Sequence, residues 1–280
     1  MNGTGKRTFI RALTLIAVAL VVGTSLTACD SALPGVSTSH PVVGRCTDLT
    51  LSPEIDSTSN ANPSVLCSKP HTMQTFGVNT IGTPLSTWKT RPGQQQLQRL
   101  QSSLCSLSAL RIFVGAVAGD SLTNVSIHGY FPTRADWADG ARAVSCDVSV
   151  NDPDGGPRSI THSLAQVMSK PESSAIRTCY RQKAEPGGGW SLTGAVTTCD
   201  KKHSSQDIDY WVTIDTATPT PAAISAICEP PAQEYVGPSR IRSLLVSGVV
   251  VLQANKTAQL RCTIGGESAH GYVTGAILAG

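Results

Sequence analysis

The chain has 280 residues, with 22 basic and 19 acidic side chains. Lys6, Arg7 and Arg11 account for the basic excess, so the 22 falls to 19 beyond the first eleven residues and matches the 19 acidic groups. That balance removes the electrostatic case for a nucleic-acid partner, and none is expected.

The three cations form a positive n-region, and Leu13 to Val22 is an apolar run too short to span a bilayer. Leu26-Thr27-Ala28-Cys29 follows and resembles the lipobox of bacterial lipoproteins. The expectation is a lipoprotein signal peptide over 1–28, with Cys29 acylated (palmitate-type chains) after cleavage. The lipid bilayer is then a partner through Cys29, and the chain sits on the extracytoplasmic face of the cell membrane. Residues 29–41, polar and containing Pro34 and Pro41, read as a lipidated tether.

About 250 residues remain, room for one large domain or two small ones. Aromatic residues make up 5% while Gly and Pro number 25 and 17, the balance of short strands joined by many turns. Modules with so little aromatic core need covalent staples. Cys29 aside, the nine cysteines leave Cys46, Cys67, Cys105 and Cys146, then Cys179, Cys199, Cys228 and Cys262, an even number in an exported chain. Their separations are 21, 38 and 41 residues in the first set and 20, 29 and 34 in the second. "CSKPHTMQ" at the second cysteine of one set returns as "CDKKHSSQ" in the other, both C-x-K-x-H-x-x-Q. The pattern is an internal duplication.

In chain order, the segment after His71 and the segment after His203 read as strands, rich in β-branched and aromatic residues. Leu97, Leu100, Leu104, Leu107 and Leu110 fall on one face of a single helix beginning after Pro92-Gly93. The second copy has a shorter helix, "AAISAIC", expected to end at Pro230-Pro231. "ARAVSCDVSV" and "TAQLRCTIGG" read as closing strands. The fold class is α+β: two tandem disulfide-stapled modules, each strand-strand-helix-strand. Module 1 covers 42–150, a Pro/Gly/Asp-rich linker covers 151–174, and module 2 covers 175–280. Four cysteines per module allow three pairings. The sequential one, Cys46–Cys67, Cys105–Cys146, Cys179–Cys199 and Cys228–Cys262, joins the early strands and staples the helix to the closing strand, and it is the expectation.

Gly44-Arg45-Cys46, the Cys67, Pro70, His71 corner, a cysteine-bearing helix, and the ending Trp137, Gly140, Arg142, Cys146 resemble the septum-formation domain of actinobacterial envelope proteins. The second copy keeps the four cysteines and His203 but has Lys202 in the proline position and Gln253 in the tryptophan position. The resemblance implies an extracytoplasmic module tied to septation and envelope growth, and no particular reaction.

The repeated corner, Lys69, His71 and Gln74 with Lys201, His203 and Gln206, has three readings. Cys and His from both copies would make a Cys2His2 zinc set, but exported cysteines pair with each other and zinc-finger spacing is missing. A Cys–His nucleophile needs a free thiol, which an even framework does not leave. A structural corner needs only that His and Gln bond backbone groups in the turn, and this is the expectation, with no metal, cofactor or catalytic residue. Ser86 to Lys89 fits S-x-x-K, but S-D-N is absent and the faint K-T-G echo, Lys256-Thr257-Ala258, lies in the other copy. The function expected is that of a non-enzymatic binding or scaffolding lipoprotein contacting an envelope protein or wall component. The alternative is an envelope hydrolase or small-ligand sensor using His71 and the groove between the modules.

Overall fold

The computed structural model describes residues 40–49, 58–153, 155–184, 190–215, 218–252, 257–266 and 273–277. The signal peptide, Cys29 and the tether up to residue 39 lie outside them.

Two five-stranded antiparallel sheets carry the fold. The first contains β1 (Cys46–Thr47), β2 (Ser64–Val65), β3 (Met73–Thr80), β4 (Val125–Tyr130) and β5 (Ala143–Val150) in the order β2-β1-β3-β5-β4. The second contains β6 (Thr178–Ala184), β7 (Trp190–Thr198), β8 (Ser205–Ile214), β9 (Leu245–Leu252) and β10 (Ala258–Gly265) in the order β7-β6-β8-β10-β9. The strand order is identical once the copies are aligned, so the duplication extends to topology. Both sheets even lose register at the same place, on β3 and on β8 opposite the closing cysteines Cys146 and Cys262. The α+β class holds, with more strands per module than strand-strand-helix-strand: a short β2 or a longer β7, and β4 or β9 ahead of the closing strand.

Both expected helices differ from the sequence reading, and in each a disulfide to the closing strand is part of the reason. The leucine stripe divides into α1 (Gln94–Leu104) and α2 (Leu107–Val114). Cys105 is drawn to the sheet by its bond to Cys146, and Ser106 starts a new helix by accepting a hydrogen bond from the Ala109 amide at 3.2 Å. Leu107 consequently faces solvent while Leu97 and Leu110 are buried. A third helix, α3 (Arg134–Ala138), is closed by a capping box between Thr133 and Asp136. In the second module α4 spans Pro221–Val236 and passes through Pro230 and Pro231 rather than ending there. The two prolines deprive the carbonyls of Ala226 and Ile227 of their usual partners. Burial of Ile224, Cys228 and Ala232 and the Cys228–Cys262 bond hold the helix in place.

Each sheet has its own apolar core, one including Leu97, Trp137, Val144 and Val148, the other including Ile208, Ile224, Leu260 and Ile264. The segment 151–174, expected as a linker, packs instead on the first module, where Ile160, Leu164, Val167 and Met168 enter the core. Its apolar residues are spaced irregularly, which gives no strand or helix period to read. Among the described residues no helix is long and apolar enough to cross a membrane.

A buried ion pair joins the two copies. Asp120 follows α2 and Arg177 precedes β6, and their side chains are 3% and 5% exposed. Arg177 also donates to Tyr235 Oη on α4 at 3.0 Å and to the Met168 carbonyl at 3.0 Å, while the Tyr235 hydroxyl donates to Asp120 at 2.6 Å. Gly119 fits beneath this ring because a Cβ there would sit 2.4 Å from Tyr235. Removing one partner of such a pair strands a buried charge. Arg177→Met is expected to cost about 3–5 kcal/mol in urea denaturation, and adding Asp120→Leu to recover part of the loss.

Candidate functional site

The repeated corner occupies the same place in both sheets, at the entry to the central strand. In the first copy the His71 backbone makes an isolated antiparallel bridge with Ile160, N to O at 3.0 and 2.9 Å. Three residues on, the Gln74 carboxamide oxygen accepts from the Leu164 amide at 2.6 Å, and its nitrogen donates to Ser163 Oγ at 3.0 Å and to the Gly44 carbonyl at 3.2 Å. In the second copy His203 bridges Val273 at 2.9 and 2.8 Å, and the Gln206 carboxamide accepts from the Ile277 amide at 2.9 Å. Each corner therefore holds down the strap of chain that follows its closing strand. Lys69 and Lys201 form the exposed side of the turn.

The strap residues were missed from sequence, although a signal exists. "ITHSL", residues 160–164, and "VTGAI", residues 273–277, share a β-branched residue, a threonine and an apolar residue at equal offsets. Where the first strap has Ser163 the second has Ala276, and the Gln206 nitrogen is buried with no partner among the described residues.

Both histidines are fully buried. The Nδ1 atoms lie 2.8 Å from the Lys69 carbonyl and 2.7 Å from the Lys201 carbonyl. A carbonyl only accepts, so Nδ1 is the donor in each ring, and in the neutral imidazole Nε2 carries the lone pair. Neither Nε2 has a hydrogen-bond partner among the described residues. Burial pushes His203 below the usual imidazole range, against the opposing pull of the Lys201 carbonyl and Asp200. His162 is lowered by burial as well.

The cysteines are bonded Cys46–Cys67, Cys105–Cys146, Cys179–Cys199 and Cys228–Cys262. Cys46, Cys67 and His71, and likewise Cys179, Cys199 and His203, place their ligand-type atoms within 4.8 Å of one another. With the sulfurs joined to each other neither trio offers a thiolate, and each corner acts as a clamp.

The other sequence marks are placed as follows. Arg142 stacks over Trp137 at 4.0 Å and donates to the carbonyls of Ser86 at 2.9 Å and Trp88 at 3.1 Å. Trp137 Nε1 also donates to the Trp88 carbonyl at 2.9 Å, so the Trp-Gly-Arg ending fixes the loop bearing S-x-x-K through backbone contacts. Lys256 lies outside the described residues. At the seam, Asp120, Arg177 and Tyr235 line a cavity of about 260 Å³ together with Val117, Met168 and Arg240. Burial holds the Tyr235 phenol above its ordinary range. No spacing in the sequence singled out these seam residues, because they meet only through packing of the two copies.

A family model described as septum formation matches residues 43–256. The chain belongs to the septum-formation family. The match runs from just before β1 to beyond β9 and ends ahead of β10, so it covers the first sheet and four strands of the second, and membership links this septum-formation protein to septation. No curated protein and no solved structure matches it significantly.

Gln74→Leu removes the acceptor for the Leu164 amide and is expected to destabilise by about 1–3 kcal/mol. Hydrogen exchange should report faster exchange at Leu164 and no change at Ile277. For His203, the folded pKa lies below the unfolded value near 6.5, so acid charges the unfolded chain first. Stability should therefore fall as pH drops below about 6.5 and level off once the folded histidine titrates; thermal melts of the wild type and His203→Gln between neutral and mildly acidic pH, the variant giving the flatter profile, check this.

Proposed function

We propose that the protein is a lipid-anchored, extracytoplasmic binding or scaffolding component of the cell envelope, acting in septation without catalysing a reaction. The observation that carries this reading is what the side chains of the duplicated corner bond to. Histidine, glutamine and cysteine in both copies hold backbone, with no acidic side chain hydrogen-bonded to either imidazole among the described residues. A general base works from a position where its free nitrogen meets substrate, and these nitrogens are buried. The lipobox-like Cys29 and the disulfide framework support export and anchoring. Partners of matching chemistry are an envelope protein or a wall polymer.

A second reading, a small-ligand sensor, is favoured by the seam cavity, where a guanidinium, a phenol and apolar walls converge between the two copies.

The test is cell fractionation and imaging of a fluorescent fusion at native expression. The wild type should fractionate with membrane and concentrate at division sites, while Cys29→Ser should lose membrane association and septal enrichment together. Uniform soluble distribution of the wild type would sink the anchoring and septal parts of the reading.

A further inference from the structure

The two corners are alike in sequence and geometry but not in access. Seven of the eight cysteines in the four disulfides are 0–4% exposed, and only Cys67 is half-buried. Thiol–disulfide exchange begins with a thiolate meeting a disulfide sulfur directly, so access to sulfur selects the bond that opens. Cys67 is the half-buried member of its disulfide, while its partner Cys46 is 1% exposed.

A sulfur freed there is not released into apolar surroundings. The ligand-type atoms of Cys46, Cys67 and His71 lie within 4.8 Å of one another. The His71 ring is held by the Lys69 carbonyl at Nδ1, which leaves Nε2 buried and unpartnered among the described residues. Metal-ligating histidines are oriented in the same manner, through a backbone or carboxylate acceptor on the second nitrogen. The Gln74 carboxamide nitrogen stands 3.5 Å from Cys67 Sγ, a donor suited to a thiolate. In the twin corner Cys179, Cys199 and His203 are all buried, so the same ligand set is sealed.

We propose that Cys46–Cys67 is the site of thiol–disulfide exchange in this protein, and that the opened corner binds a zinc-class divalent cation through Cys46, Cys67 and His71. The reductant is a dithiol. One of its thiolates attacks Cys67 Sγ, the S–S bond breaks, and its electron pair leaves on Cys46 Sγ as a thiolate. The second thiol of the reagent loses its proton and attacks the reagent's own sulfur in the mixed disulfide, freeing the Cys67 thiolate and closing the reagent as a cyclic disulfide. Two electrons pass to the protein, and the two protons given up by the dithiol go to the cysteine pair or to solvent when the cation binds. Two thiolates and one imidazole leave a fourth tetrahedral position for water or an outside ligand. Reduction then exchanges a covalent clamp for a metal clamp at the base of β3, with the strap still held by Gln74.

The experiment uses the full exported protein, purified oxidised and exposed to graded dithiothreitol under native conditions, with newly freed thiols alkylated and mapped by peptide mass. Cys46 and Cys67 should be labelled at about tenfold lower reductant than any other cysteine. After anaerobic removal of the reductant, native mass spectrometry should show one zinc ion per chain, and cobalt should give a thiolate charge-transfer band with tetrahedral ligand-field absorption. His71→Asn should show the same labelling pattern and bind at least about tenfold more weakly. Should that variant fail to fold, cadmium-113 resonance of the 15N-labelled wild type replaces it, and coupling to an imidazole nitrogen is the expected result. Earlier opening of another disulfide, an opened corner that takes up no metal, undiminished binding in His71→Asn, or cadmium without nitrogen coupling would each overturn the proposal.

Discussion

The structure depends on covalent ties between a thin sheet and the chain that covers it. The first core buries Phe76, Phe131 and Trp137, while the second rests on aliphatic residues such as Ile208, Ile224, Leu260 and Ile264. The Cys105–Cys146 and Cys228–Cys262 bonds close loops of 41 and 34 residues between the helical segment and the closing strand, and Cys46–Cys67 and Cys179–Cys199 close loops of 21 and 20 at the sheet edge. In the chain-entropy treatment each is worth roughly 3–4 kcal/mol, against a folding free energy of only about 5–15 kcal/mol for a typical domain. The helices show the consequence. Cys105 breaks a leucine stripe that periodicity would continue, and Cys228 sits within a helix that two prolines would otherwise end.

The duplicated corner solves a second problem left by the sheet, that of the chain after its last strand. A strap running back across the central strand brings backbone amides into the interior, where an unpaired one is costly. The bridges at His71 and His203 and the carboxamides of Gln74 and Gln206 satisfy those amides in both copies. The first strap then continues through Leu164, Val167 and Met168 into the core and delivers Arg177 to Asp120 at the seam. The corner, the strap and the seam are thus one continuous arrangement, and the seam residues Asp120 and Arg177 line the cavity.

The copies have diverged at single residues whose effects are local. Ser163, one of the two oxygen acceptors of the Gln74 nitrogen, gives way to Ala276, and the Gln206 nitrogen has no partner among the described residues. Half-burial of Cys67 has no counterpart at Cys199, which is fully buried. The Trp137 and Arg142 stack is confined to the first module's end, where it fixes the loop of Ser86 and Trp88. One sheet topology carries two different surfaces.

Sequence by itself determined the duplication, the disulfide framework, the strands on either side of each corner and the family resemblance. These rest on residue spacing and on alternation within single segments, which are local properties of the chain. Tertiary structure alone decided where the leucine stripe breaks, that α4 passes its prolines, that residues 158–177 cover the first core, and that Asp120, Arg177 and Tyr235 meet. In each of these cases a distant contact outweighs a local preference of about one to three kcal/mol. The burial of His71 and His203 belongs to the same group: C-x-K-x-H-x-x-Q names the donors and acceptors, but only the strap returning from more than eighty residues away in the first copy, and about seventy in the second, shows that they face inward to backbone.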